Sequence, residues 1–127
     1  MSEKRIIATN NAPQAIGPYS QAVVYNGVVY CSGQIPIDPE TGELLEGSIQ
    51  DKTHRVIKNL EAVLEEAGSS LTKVIKCSIF LASMDDFAAV NEVYGTYFST
   101  EPPARETVAV KTLPKSCDIE ISCIAHI

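Results

Sequence analysis

The alternation of apolar and polar positions divides this chain into eight short elements. Ile6 to Ala8 is a brief apolar piece and predicts an edge strand, while Asn10 to Pro18, rich in Asn, Pro and Gly, predicts a loop. Ala22-Val23-Val24-Tyr25 and Val28-Val29-Tyr30-Cys31-Ser32 flank Asn26-Gly27. Two runs of strand formers around Asn-Gly predict a hairpin, because a two-residue turn of this kind needs positive φ at both positions. The second strand runs into Ser32-Gly33-Gln34-Ile35-Pro36, where Gly33 lets another group approach the backbone closely. Asp38 to Gly42 is a turn-rich surface loop.

The period then changes from two to three and four. Ile49, Val56, Ile57, Leu60, Val63, Leu64 and Ala67 make one apolar stripe, which predicts a helix. Ser48 with Asp51 has the form of a capping box at its start, and Gly68 supplies its stop. Val74 to Leu81 returns to alternation, with Ile75, Cys77, Ile79 and Leu81 pointing one way and Lys76 and Ser78 the other. Ser83 with Asp86 opens a second helix whose inward residues are Phe87, Val90, Tyr94 and Phe98, and Pro102-Pro103 forbids its continuation. Two strands close the chain, Thr107 to Val110 and Asp118 to Ala125, joined by the turn-like Leu113-Pro114-Lys115-Ser116.

The order β-β-β-α-β-α-β-β predicts an α+β domain in which two helices cover one face of a sheet of about six strands. The other face still carries Val, Ile and Cys residues, so association of chains is expected to cover it, most simply as a cyclic homo-oligomer. The length of 127 residues fits one domain. With 45% hydrophobic residues, no Trp and few aromatics, the core must be aliphatic.

Charge narrows the functions further. A formal net charge of −6 without a basic run argues against a nucleic-acid or anionic-membrane surface. No apolar stretch approaches the ~20 residues of a membrane span. Met1 to Arg5 lacks the apolar core of a secretory signal and is too short for a transit helix. The expected compartment is the cytosol; the missing presequence disfavours the mitochondrion and leaves a nuclear pool open. Cys31, Cys77, Cys117 and Cys123 form no C-x-x-C pair and lie in or beside apolar runs, as buried reduced thiols do.

Candidate chemistry centres on Arg105 and Glu120. Arg105 follows two prolines at a strand entrance and could be a fork for a carboxylate or phosphate, or one member of a surface ion pair. Glu120 projects away from the aliphatic row Ile119, Ile121, Cys123, Ala125. Arg105, Thr107 and Ala109 share one face of the preceding strand. If these two strands are neighbours, Arg105 and Glu120 face a common cavity, and either a small-acid site or a plain cross-strand ion pair results. His54 falls on the polar side of its helix and His126 is penultimate, so both read as solvated or locally hydrogen-bonded. Metalloprotease, nucleophile-elbow, Walker and dinucleotide motifs are absent.

Taken together, Ala15-Ile16-Gly17-Pro18-Tyr19-Ser20-Gln21-Ala22, Ser32-Gly33-Gln34-Ile35-Pro36, Val90-Asn91 with Tyr94, Pro103-Ala104-Arg105, and Leu113-Pro114-Lys115 before Ile119-Glu120-Ile121 resemble the RidA (YjgF) reactive-intermediate deaminases over nearly the whole chain. The resemblance implies a chorismate-mutase-like fold, a homotrimer with a barrel core, and active sites in clefts between subunits. It implies hydrolysis of 2-imino acids to 2-oxo acids and ammonia, with no metal or organic cofactor. Arg105 would grip the substrate carboxylate and Glu120 would position or activate water. Tyr19, Ser32 and Gly33 would line the cleft, and Asn91 would contribute from the helix side. Thr107 stands where many bacterial members carry Cys, so nucleophilic chemistry is not expected there. A non-catalytic trimer that binds small carboxylates and regulates a partner is the alternative, and RNA cleavage or translation inhibition a third reading that the acidic balance opposes.

Overall fold

The structure, a computed structural model, describes residues 3–127. Met1 and Ser2, the start of the stretch read above for targeting, lie outside the described residues. The elements come in the predicted order: β1 (Arg5–Ile7), β2 (Ala22–Tyr25), β3 (Val28–Gln34), α1 (Ile49–Glu66), β4 (Val74–Leu81), α2 (Phe87–Tyr97), β5 (Ala104–Ala109) and β6 (Ile119–His126). The six strands form one sheet in the order β1-β2-β3-β6-β4-β5, so β1 and β5 are its edges. Only β4 and β5 run parallel.

Local chemistry accounts for most boundaries. Asn26 and Gly27 take φ of 51° and 77°, the mirror-image turn that matches the twist of the hairpin. Ser48 Oγ accepts the amide of Asp51 at 3.1 Å at the start of α1. At its other end Gly68 takes φ of 87°, with its amide donating to Glu65 O and that of Ser69 to Leu64 O, a complete Schellman stop. Arg5 Nη2 donates to Ala67 O at 3.0 Å and ties β1 to that end.

The core lies between the helices and one face of the sheet. Val56, Ile57, Leu60, Val63 and Leu64 of α1 meet Val29, Ile79, Leu81, Ile119, Ile121 and Ala125 from the strands, all essentially without solvent contact. Val90, Tyr94 and Phe98 add the second helix. All four cysteines are free and buried.

Four expectations are corrected. Ile75 does not point inward with Cys77 but is 48% exposed. The register passes from Val74↔Ala125 to Lys76↔Ile124, so β4 holds one extra residue there and Val74 takes the core position. The cysteines do not contribute to the open face: Cys31, Cys123 and Cys77 are register partners on the helix-covered face. What the open face shows instead is the row Ile6, Val23, Tyr30 and Ile124, and the row Glu120, Phe80 and Val108. Ser83 Oγ accepts from the amide of Asp85, not Asp86, and a 3-10 turn at Met84–Asp86 precedes α2. Finally, β5 begins at Ala104 rather than Thr107, because parallel pairing with β4 from Lys76 onward gives the chain partners directly after Pro103.

Ile79→Ala removes a side chain that is 1% exposed and is expected to cost about 2–5 kcal/mol, read from urea unfolding. Ser48→Ala, which removes only the cap, is expected to cost about 1 kcal/mol.

Candidate active site

Glu120 stands on the open face of β6, opposite a break in the β3–β6 ladder. Pairing jumps from Cys31↔Cys123 to Gln34↔Ile121, leaving one extra residue in the Ser32-Gly33 stretch. A Cβ at Gly33 would lie 2.5 Å from Glu120 Oε2, so any side chain there would displace the carboxylate from this position. Glu120 makes no hydrogen bond or ion pair with the described residues, and burial alone pushes its pKa above the ordinary carboxylate value. It opens onto a cavity of about 520 Å³ that also takes in Tyr19, Ser32, Gly33, Ile35 and Lys115. Ser32 Oγ donates to Ser20 O at 2.6 Å, and its amide donates to Gln21 O, so Ser32 fixes the segment that carries Tyr19.

Two buried amides, which the sequence reading missed, hold the walls of this cavity. Gln21 Nε2 donates to Thr9 O at 3.0 Å and Pro13 O at 2.7 Å, and its Oε1 accepts the amide of Thr9. Asn59 of α1 donates from Nδ2 to Ile37 O at 2.9 Å and Ile35 O at 3.3 Å, while its Oδ1 accepts from Arg55 Nε. Loops cannot bury their own carbonyls without partners, and these side chains supply them. Asn59 does carry a signal in the sequence, a polar residue beside Leu60 within the apolar stripe of α1.

Arg105 is prepared separately. Its Nη1 donates to Asn91 Oδ1 at 2.7 Å, and its guanidinium carbon lies 4.9 Å from the ring centre of Tyr94 and 5.8 Å from that of Phe87. Asn91 therefore orients the fork through a direct hydrogen bond, and the aromatic faces favour the cation. No described carboxylate lies within ion-pair distance of Arg105. The guanidinium borders a second cavity, of about 420 Å³, walled by Tyr94, Phe98, Pro102 and Pro103. Among the described residues Thr107 Oγ1 and the Tyr94 hydroxyl are buried without hydrogen-bond partners; the latter lies beside the Cys77 thiol, and burial raises its pKa, so it stays protonated.

The structure does not bring the two halves together within one chain. β4 separates β5 from β6, so these strands are not neighbours. Arg105 pairs across to Cys77 and Cys123 on the helix-covered face, whereas Glu120 pairs across to Phe80 and Val108 on the open face. The common cavity expected from adjacent strands is thus a correction: the pleat turns the two side chains to opposite sides of the sheet. Tyr19, Ser32 and Gly33 go with Glu120, and Asn91 goes with Arg105, with Thr107 two residues along the same strand face. His54 shares a hydrogen bond with Tyr97, and His126 is exposed, away from both cavities. Among the described residues no group of three His, Cys, Asp or Glu side chains is placed to hold a metal, and no helix is long and apolar enough to cross a membrane.

Comparison with known proteins places this arrangement. The family model described as Endoribonuclease L-PSP matches residues 9–127. A RutC family protein of Pyrococcus abyssi is 50% identical over 123 residues, covering 97% of each chain. The 2-iminobutanoate/2-iminopropanoate deaminase of Rattus norvegicus is 44% identical over 122 residues, 96% of this chain and 89% of that one. Among solved structures, a putative endoribonuclease of Thermotoga maritima superposes with a TM-score of 0.95 at 55% identity over 97% of each chain. The chain belongs to the RidA (YjgF) family, to which the L-PSP model refers, and has that family's α+β fold.

Gln21→Ala and Asn59→Ala each leave buried carbonyls unpaired and are expected to cost about 1–3 kcal/mol in unfolding experiments. Glu120 gives a pH signature of opposite kind. Because burial raises its pKa in the folded chain, the fold favours the neutral acid, so its contribution to stability is full below the ordinary carboxylate value and is lost as pH rises through the folded pKa. Glu120→Gln is therefore expected to melt higher than the native chain at neutral pH, with the gap closing in acid; an equal gap at all pH values would contradict the assignment.

Proposed function

We propose that this chain is a hydrolytic deaminase of 2-imino acids that works as a homotrimer. The observation that carries the reading is a preorganised, unpaired guanidinium and an unpaired half-buried carboxylate, in a family whose rat member is named for imine deamination. Since the two lie on opposite faces of one sheet, the working site joins the Arg105 half of one chain to the Glu120 half of the next. Such a contact uses two different patches and can close into a ring, which we take to hold three chains on the family resemblance. The open-face rows that include Ile6, Tyr30 and Val108 give that ring apolar surface to bury.

In the proposed reaction Arg105 takes the substrate carboxylate through a bidentate pair and so fixes the imine carbon. Glu120 accepts a proton from water as its oxygen bonds to that carbon, and returns the proton to nitrogen. Loss of ammonia from the tetrahedral adduct leaves the 2-oxo acid. The imine carbon is already electrophilic, so orientation and one acid–base group, worth about 10²–10⁴ in rate, meet the demand. Tyr19 and Ser32 bound the water side of the cleft. Endoribonuclease chemistry is less well supported, because the chain is acidic overall and the two cavities together offer one Arg and one Lys to a phosphate backbone.

A dehydratase that forms 2-aminoacrylate from serine provides the test, with pyruvate release followed spectroscopically. Native protein is expected to accelerate release, and Arg105→Ala to abolish the acceleration. Glu120→Gln should lower turnover far more than binding of 2-oxobutanoate, which separates catalysis from a carboxylate-binding regulator. Pyruvate kinetics unchanged by the native protein would end the deaminase reading, and a monomeric mass in solution would end the shared site.

A further inference from the structure

Glu120 leans to one side. Its Cγ, Cδ and Oε2 lie 2.9, 2.7 and 2.5 Å from the place a Cβ of Gly33 would take, so the end of the side chain crosses over the backbone of β3. A glutamate on a strand can lean toward either neighbouring strand, and Gly33 leaves the β3 side open. Phe80 closes the other side. It is the register partner of Glu120 on β4 and shares the open face, where directly opposite residues have Cβ atoms about 4.5–5.5 Å apart. Its side chain is partly buried and stands between Glu120 and Val108 in one row. The cavity of about 520 Å³ has the same asymmetry: β3, β6 and the loops line it, and β4 contributes no wall.

Charge does not set this arrangement. Of the titratable groups around Glu120, Tyr19 and Lys115 share its cavity, the Cys117 thiol is close enough to feel its charge, and Asp118 precedes it in the chain. β3 presents Ser32, Gly33 and Gln34 to the cavity, none of them titratable. On the β4 and β5 side, Lys76 and Glu106 stand in other rows and pair with each other at 3.2 Å. In the proposed ring, Arg105 of the next chain faces the carboxylate as well. Within one chain Glu120 forms no ion pair with the described residues, and burial is the cause that raises its pKa. An apolar group beside a half-buried carboxylate keeps water from that flank and offers no donor, which directs the carboxylate to the open side.

We propose that Phe80 is a positioning residue for Glu120: its side chain closes the β4 flank and, with the gap at Gly33, aims the carboxylate over β3 into the cavity. The kinetic consequences rest on the imine-hydrolase reading above. The placement of the carboxylate rests on the sheet geometry and is testable without turnover.

The test sets Phe80→Leu, which keeps an apolar wall, against Phe80→Ala, which removes it, with the assembly of each checked by mass. The carboxyl carbon of Glu120, assigned from the signal that Glu120→Gln loses, is titrated by carbon-13 NMR. Phe80→Ala is expected to lower the midpoint toward the ordinary carboxylate value, and Phe80→Leu to keep it near that of the native chain. The carboxylate form is the base in imine hydrolysis, so activity falls as pH drops through this midpoint, and in Phe80→Ala the fall moves to lower pH. Its kcat at neutral pH is expected to drop about tenfold or more with KM little changed, since Arg105 still binds the substrate, and Phe80→Leu to recover most of that loss. A mere loss of stability moves neither the midpoint nor the pH profile. If Phe80→Ala fails to fold or assemble, Phe80→Val replaces it, with smaller shifts in the same directions. A midpoint unchanged by the truncation, or lowered as much by Phe80→Leu, overturns the proposal, and so does a lowered midpoint with kcat unchanged. If native protein hydrolyses no imine, the hydrolase reading has failed and the midpoints judge Phe80 by themselves: lowered in Phe80→Ala supports its role, and unchanged overturns it.

Discussion

The position of β4 between β5 and β6 governs what this molecule can do. Pleated strands send alternate side chains to opposite faces, and register partners share a face. Arg105 is level with Cys77 and Cys123, and Glu120 with Phe80 and Val108, so the fold holds its cation and its carboxylate apart. Had β5 paired with β6 directly, the same residues could have neutralised each other as a cross-strand ion pair. Separation keeps both unpaired and available, and in the proposed reaction it is what calls for a second chain.

Each half is then prepared by its own means. The carboxylate half depends on backbone: a bulge at Ser32-Gly33, the missing side chain of Gly33, and loops pinned by Gln21 and Asn59. Partial desolvation favours the neutral acid and so moves Glu120 toward the range where it can both take and give a proton. The guanidinium half depends on one helix. α2 presents Asn91 as an acceptor and Tyr94 and Phe87 as faces, which together hold the fork and leave its other donors for a ligand. Exposed Arg105 would otherwise sample many rotamers, and ordering it before binding lowers the cost of capture.

The periodicity of the sequence already carried the element order, the hairpin, the helix caps and the aliphatic face of β6, because each is set by neighbours a few residues apart. Pairing between distant strands was not legible in the same way. Alternation says that Arg105 and Thr107 share a face, and that Glu120 opposes Ile119 and Ile121, but not which strand lies between them. Ile75 shows the same limit on a smaller scale: one extra residue opposite Ala125 and Ile124 reverses its direction, and nothing local marks the bulge. Gln21 and Asn59 were missed because a buried amide looks like any polar residue until its loop carbonyls are in place. Gly33 was read as a point of close approach, and the structure supplies the approaching group.

Subunit exchange tests the shared site most directly. Arg105→Ala and Glu120→Gln proteins, each inactive alone, are mixed in equal amounts, unfolded, refolded together and assayed for imine hydrolysis. If each site takes Arg105 from one chain and Glu120 from the next, random ring trimers regain about a quarter of native activity, since every mixed trimer restores one site in three. A mixture as inactive as its components, with mixed trimers shown to have formed by mass, would contradict the account.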